Sequence, residues 1–283
     1  MPLQYTTVIP AHNEEAFIGQ MLESLAKQSA LPAKVIVVDD NSTDRTAAMA
    51  LSFRERFRDL AVIRNESGNE HLPGSKVIRA FERGLREAGE FDIIVKLDAD
   101  LVLPQDYFEK IMEVFAKNPA AGMAGGFATI EKNGQWVVEN LTDKDHIRGA
   151  FKAYRKECFN QIGGLRPAMG WDTVDELLAR YHGWEVVTLP ELLVRHLKPT
   201  GVSYAKEARY KQGAAFYRLG YGFWITAIAS AKLAMKKGRA VLFADYLKGY
   251  FKAARSGEQL LVNAEEARWI RQYRWKKMKS KLF

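Results

Sequence analysis

The chain has 283 residues, of which 47% are hydrophobic and 27% charged, a composition and length that exclude both disorder and a metal-dependent mini-fold. Its single cysteine, Cys158, excludes an intrachain disulfide. The net charge of +8 is uneven: residues 205–283 hold 18 Lys+Arg against 5 Asp+Glu, a net of +13, which leaves −5 on residues 1–204.

In chain order, Tyr5 to Ile9 (YTTVI) reads as a strand that stops at Pro10. Residues 15–27 read as an amphipathic helix, because Phe17, Ile18, Met21, Leu22 and Leu25 recur at helical spacing. VIVVD at 35–39 is a short apolar strand, and a helix from Asp44 to Phe57 follows, capped by Ser42 or Thr43. LAVIR at 60–64 and DIIVKLD at 92–98 are further strands; residues 76–88 and 106–117 are helices, the second with Asp106 as N-cap. The small-residue run AAGMAGG at 120–126 begins a strand that approaches another backbone closely. Cys158 is a buried thiol in a helix before Ile162-Gly163-Gly164. From Tyr204 the chain turns to helices rich in aromatic and basic residues. Its uncharged stretch 219–231 is shorter than the ~20 residues that span a bilayer.

Strands alternating with helices predict a mostly parallel sheet covered on both faces, with ligands outside the carboxyl ends of the strands. The polar clusters fall at those ends: His12-Asn13-Glu14-Glu15, Asp39-Asp40-Asn41-Ser42 and Asp98-Ala99-Asp100. Two carboxylates at i and i+2 on an extended backbone share a face and repel unless a cation joins them. A hard divalent cation such as Mg²⁺ suits that oxygen pair and also binds substrate phosphates. Asp39 and Asp40 exceed what helix capping needs, and a carboxylate there can accept the imide N–H of a pyrimidine. The turn after the first strand places backbone amides and Asn13 where a ribose or base would lie.

VIPAHNEE, VVDDNSTDRT and KLDADLVLP, in that order and spacing, resemble the family 2 glycosyltransferases of the GT-A fold, over roughly residues 4–200. The resemblance implies inverting transfer of a sugar from a nucleotide diphosphate donor, UDP by family frequency. It places Pro10, Ala11, Asn13, Glu15, Asp40, Lys76, Asp98 and Ala99 at the nucleotide, although the GKxxAxN-type pattern around Lys76 is absent. It gives Asp98 and Asp100 to a divalent metal, Mg²⁺ or Mn²⁺, with His196 of VRHLKPTG as third ligand. The family's general base is the Asp of a Glu-Asp pair before a helix ending in Gly-aromatic. In GWDTVDELLARYHGW, counting back eleven residues from Gly183 gives Asp172, with Trp171 where Glu usually stands; Asp175, one turn on, is the other candidate. A capping role is open for the same pair, with Asp172 as N-cap and Asp175 as its N3 partner. The stretch HIRGAFKAYRKECF at 146–159 would line the acceptor side, with Arg148, Lys152 and Arg155 meeting an anionic acceptor.

The expected architecture is therefore a GT-A domain over 1–204 and a basic, aromatic-rich helical extension over 205–283. The expected acceptor is a hydroxyl of a glycan or lipid-linked acceptor in cell-surface polysaccharide or glycolipid synthesis, and no nucleic acid is expected. The lone cysteine and the absence of a leader pattern at the N-terminus fit a cytoplasmic protein. The extension would lie on the inner face of an anionic membrane without spanning it. Two rivals are weaker. A sugar-nucleotide nucleotidyltransferase wants a Gly-rich phosphate loop that Ala11-His12-Asn13 lacks, and a nucleic-acid-binding tail leaves the acidic strand ends without a role.

Overall fold

The computed structural model describes residues 3–67, 74–139, 144–198 and 208–280. Among the described residues nine strands form one mixed sheet in the order β3-β2-β1-β4-β8-β6-β9-β5, with β7 paired to β6 at the side. The first half supplies β1 (Tyr5–Ala11), β2 (Lys34–Asp40), β3 (Leu60–Asn65) and β4 (Ile93–Leu97), alternating with α1 (Ile18–Ala26), α2 (Thr46–Leu51) and α3 (Ser75–Leu85). These four strands are parallel, so their carboxyl ends share one edge. The near-continuous apolar runs of β1, β2 and β4 are buried on both faces, as a helix-covered parallel sheet requires, while the edge strand β3 is mostly half-buried.

The second half reverses direction. β5 (Leu101–Val102), α4 (Tyr107–Lys117), β6 (Ala121–Lys132), β7 (Gln135–Val138), β8 (Phe151–Arg155), α5 (Lys156–Gln161), α6 (Trp171–Tyr181) and β9 (Glu185–His196) follow in chain order. β8 lies antiparallel to both β4 and β6, while β9 runs parallel to β6 and antiparallel to β5. This pairing carries His196 across the sheet to face Leu101, beside Asp100. Gly126 makes the β6–β9 approach possible: a Cβ there would lie 2.2 Å from the Leu192 carbonyl oxygen. The close backbone approach expected of the AAGMAGG run is therefore present.

Local differences from the sequence reading have physical causes. β1 continues through Pro10, which is in register with Val38 but lies past the last residue paired with β4. With one neighbour there, a missing N–H is tolerated. The second helix starts only at Thr46, and Ser42 does not cap it: its hydroxyl accepts from Asn13 N at 3.0 Å, while Asp44 accepts from Thr46 N at 3.0 Å. Asp106 occupies the N-cap position of α4 without a side-chain cap; its carboxylate pairs with Lys110 at 2.6 Å. α6 is entered through Gly170 at φ 87°, so Asp172 sits inside the first turn and is no N-cap, and Asp175 is no capping-box partner. Cys158 is buried, and burial pushes its thiol up to about 12.

The remaining described chain is helical: α7 (Ala208–Arg218), α8 (Gly222–Lys236), α9 (Val241–Arg255) and α10 (Ala264–Lys279). α10 begins with a reciprocal capping box between Asn263 and Glu266. Phe216, Leu219, Tyr221, Ile225 and Ile270 join the core that contains the sheet's own residues. The boundary expected between 204 and 205 lies outside the described residues. Among the described residues no helix is long and apolar enough to cross a membrane.

Candidate active site

The parallel strands end together, and the loops that follow are laced to one another. Asn13 adopts φ 54°. Its Oδ1 accepts from Thr43 N at 2.8 Å, and Glu15 Oε2 accepts from Arg45 N at 2.9 Å. These two side chains thus hold the β1 loop against the β2 loop. Beneath them Pro10 and Ala11 are buried. Asp40 is 6% exposed; it accepts from Asn65 Nδ2 at 2.7 Å, and its carbonyl accepts from His12 Nδ1 at 2.7 Å. Lys76 is half-buried in the first turn of α3, next to Gly74, where a Cβ would meet the Ala168 carbonyl. That contact brings α3 against the loop leading to α6.

Asp98 directly follows β4, its N–H donating to Ala150 O at 2.8 Å. The turn through Ala99 then presents Asp100 just before β5. Asp98, Asp100 and His196 each bring one ligand atom to within 4.8 Å of the others. His196 Nε2 lies 3.1 Å from Asp100 Oδ2, while its buried Nδ1 has no hydrogen-bond partner. Burial opposes charge on this imidazole, but the bond and charge of Asp100 outweigh it and raise its pKa. Two carboxylates and an imidazole with an orphaned nitrogen fit a Mg²⁺ or Mn²⁺ ion. Glu14 stands beside them, its pKa raised by burial, and pairs with Lys198 at 2.8 Å.

A second cluster surrounds α6. Lys152 of β8 is fully enclosed, 3.0 Å from both Asp175 oxygens and 3.1 Å from Glu176. Tyr154 donates to Asp175 at 2.7 Å. Asp175, 1% exposed, is thus closed off by its own partners. Burial pushes its carboxyl up to about 6 against the pull of Lys152. The Asp172 side chain is 34% exposed. Burial would raise its pKa, yet contact with His146 and the charge of Lys152 hold it down at about 2. His146 bridges Glu176 at 3.1 Å and Asp172 at 3.8 Å. Burial works against its charging, but those carboxylates raise it to about 9.

Trp171 joins the two clusters. It is 7% exposed, with Lys96 Nζ 5.4 Å and Lys152 Nζ 5.8 Å from its ring. Lys96 and Lys152 face each other across β4 and β8, a like-charged pair tolerated because Lys96 reaches Asp98 and Lys152 reaches the α6 acids. Gly149 lets this ring in: a Cβ there would lie 2.5 Å from it.

The residues expected on the acceptor side have these surroundings. Lys152 is enclosed, Trp171 is a buried platform, and Arg155 donates to the carbonyls of Ala121, Phe115 and Asn118. Arg148 stays partly exposed, paired with Glu139 at 2.8 Å. Sequence reasoning assigned no individual role to His146, Glu176 or Lys96, although His146 opens the stretch expected on the acceptor side and Glu176 adjoins Asp175. Lys96 had a signal, since it lies two residues before Asp98 on the same strand face. His146 had none, because 26 residues and a change of element separate it from Asp172.

A parallel sheet that reverses direction after β4, with an acidic triad at the reversal, defines the GT-A class. The mannosyltransferase of Pyrobaculum calidifontis, solved with GDP-Man and Mn²⁺, superposes with a TM-score of 0.59 at 17% identity, covering 100% of this chain and 81% of that one. S. aureus TarS 1-349, solved with UDP-GlcNAc, also gives 0.59, at 20% identity over 95% and 78%. The chain belongs to glycosyl transferase family 2, which it matches over residues 6–168. Among curated relatives it is 25% identical to the beta-monoglucosyldiacylglycerol synthase of Synechocystis over 78% of its own length and 50% of the relative's. It is 26% identical to a poly-beta-1,6-N-acetyl-D-glucosamine synthase of Staphylococcus epidermidis over 81% and 58%. The chain thus spans about half the length of the curated relatives it matches.

Proposed function

We propose that this protein transfers a sugar, with inversion, from a nucleoside diphosphate donor to a hydroxyl of a glycan or lipid-linked acceptor in cell-surface polysaccharide or glycolipid synthesis. The observation that carries this reading is the triad Asp98, Asp100 and His196, within 4.8 Å of one another at the edge where four strands end. UDP is the expected nucleotide, with Asp40 toward the base and Pro10, Ala11, Asn13, Glu15, Lys76 and Ala99 around base and ribose.

Asp172 is the candidate base. It is the most exposed acid of α6, and its low pKa keeps it ionised at neutral pH. A carboxylate there takes the acceptor's hydroxyl proton as the oxygen attacks the anomeric carbon, and such help is worth ~10²–10⁴-fold. Asp175 supports that role from inside: with Lys152 and Tyr154 it anchors α6, whose first turn orients Asp172. Arg148, whose charge reaches both Asp172 and His196, lies where it can steady donor or acceptor oxygens. A divalent cation at the triad would offset charge developing on the departing diphosphate.

The test is donor binding followed by thermal shift with UDP-, GDP- and dTDP-sugars, with and without Mn²⁺ or Mg²⁺. At least one donor should stabilise the wild type only with metal, and Asp100→Asn should lose that dependence. A variant that binds donor with undiminished metal dependence would remove the triad from the mechanism.

A further inference from the structure

The turn between α8 and α9 stands out from the rest of the molecule. Residues 235–241 (MKKGRAV) are all exposed, seven in a row. Met235 is 76% and Val241 53% exposed, and Lys236, Lys237 and Arg239 lie between them. On α8, exposed Trp224, Ile228 and Met235 fall at i, i+4 and i+11, which is a single stripe along the helix. Trp224 is 70% exposed. Phe223 packs against Phe251 of α9 with ring centroids 5.7 Å apart, which widens the stripe into a face. No Asp or Glu occurs between residues 208 and 244.

We propose that this α8–α9 face docks on an anionic lipid bilayer, with Trp224, Ile228 and Met235 entering the headgroup zone and Lys236, Lys237 and Arg239 meeting lipid phosphates. Three physical arguments select that occupant. A tryptophan and aliphatic side chains bordered by cations match the interface between headgroups and acyl chains. A nucleic acid would engage the cations but leave Ile228, Met235 and Val241 in water. A second copy of the chain would set the patch against itself, cation on cation, in a two-fold contact. Among the described residues no helix is long and apolar enough to cross the bilayer, so the proposed contact is with the bilayer surface.

α8 also walls a groove of about 420 Å³ whose lining includes Gly170 and Thr173, the residues that flank Trp171 and Asp172 in the chain. If the transferase reading holds, an acceptor anchored in the bilayer reaches Asp172 along this groove; the docking itself does not depend on that reading.

The experiment is co-sedimentation of the full chain, without donor or metal, with vesicles of pure phosphatidylcholine or of equal parts phosphatidylcholine and phosphatidylglycerol. Binding is expected only to the anionic vesicles, and it should weaken in high salt. Neutralising the turn (K236Q/K237Q/R239Q) should lower partitioning roughly a hundredfold, and W224S/M235S about tenfold or more. All five positions are exposed, so both variants should keep the wild-type melting temperature, which is measured alongside. Wild-type protein left in the supernatant overturns the proposal. Binding that survives both variants does too, because it moves the docking elsewhere. A concentration-dependent dimer abolished by W224S/M235S would assign the face to a second copy instead. Each of these readouts is independent of glycosyl transfer.

Discussion

At the scale of single residues, the α6 cluster separates a partly exposed acid from an enclosed one. Asp172 and Asp175 are three positions apart on one helix, but Asp172 reaches solvent and Asp175 is enclosed. Asp172→Asn should keep donor binding and lose ~10²–10⁴-fold in transfer, measured by calorimetry and product formation. Full transfer in that variant would take the base role away from Asp172. Lys152→Met should instead destabilise the fold, by ~3–5 kcal/mol in denaturant titration, because Asp175 and Glu176 then lose the charge that offsets their burial. The bridging imidazole gives a pH signature. Folded His146 titrates at about 9 against 6.5 for a free side chain. Its pairing therefore stabilises in full below about 6.5 and is lost as pH rises through about 9. The melting temperature should fall between neutral and mildly alkaline pH, and His146→Gln should flatten that fall; equal slopes in both proteins would dismiss the bridge.

At the scale of elements, the site depends on where β9 is laid down. His196 reaches Asp100 only because β9 runs parallel to β6 and ends opposite β5. Gly126 sits at the register irregularity between Gly125 and Phe127, where a Cβ would run into the Leu192 carbonyl. Gly126→Ala would force β9 outward, with a stability loss of about 1–3 kcal/mol by chemical unfolding. Metal-dependent donor binding should weaken with it, since His196 moves with its strand. If stability drops while metal dependence stays intact, the strand and the triad are uncoupled.

At the scale of the whole molecule, the charge asymmetry of the sequence does not map onto a detached tail. α10 contributes Ile270, fully buried, to the same core as the sheet, and Lys277 pairs with Asp145. Arg271 donates to Gly220 O at 3.0 Å, tying α10 to the turn before α8. Thermal unfolding should accordingly be one cooperative transition, and a chain ended before α10 should melt far lower and more broadly. Two separated transitions in calorimetry would make the helical part an independent unit.

The sequence alone determined the strand ends where the polar groups collect, the Asp98–Asp100 pair and the helix carrying Asp172, and its motif order carried the resemblance to the GT-A class; the meeting of His196 with that pair waited for the pairing of β9. Those features are local: apolar runs, acids at fixed spacing, and a motif order preserved along the chain. Only the tertiary structure decided which acids stay open. Burial depends on what packs across the sheet, so nothing near Asp175 announces Lys152 and Tyr154 as its partners. The same holds for His146, brought to Asp172 by the return of β8 and α6 to one place, and for Trp171, which fits only because Gly149 leaves it room. Exposure on the α8–α9 face belongs to this second kind: the sequence shows aromatic and basic residues, but only packing shows which of them the core leaves to the surface.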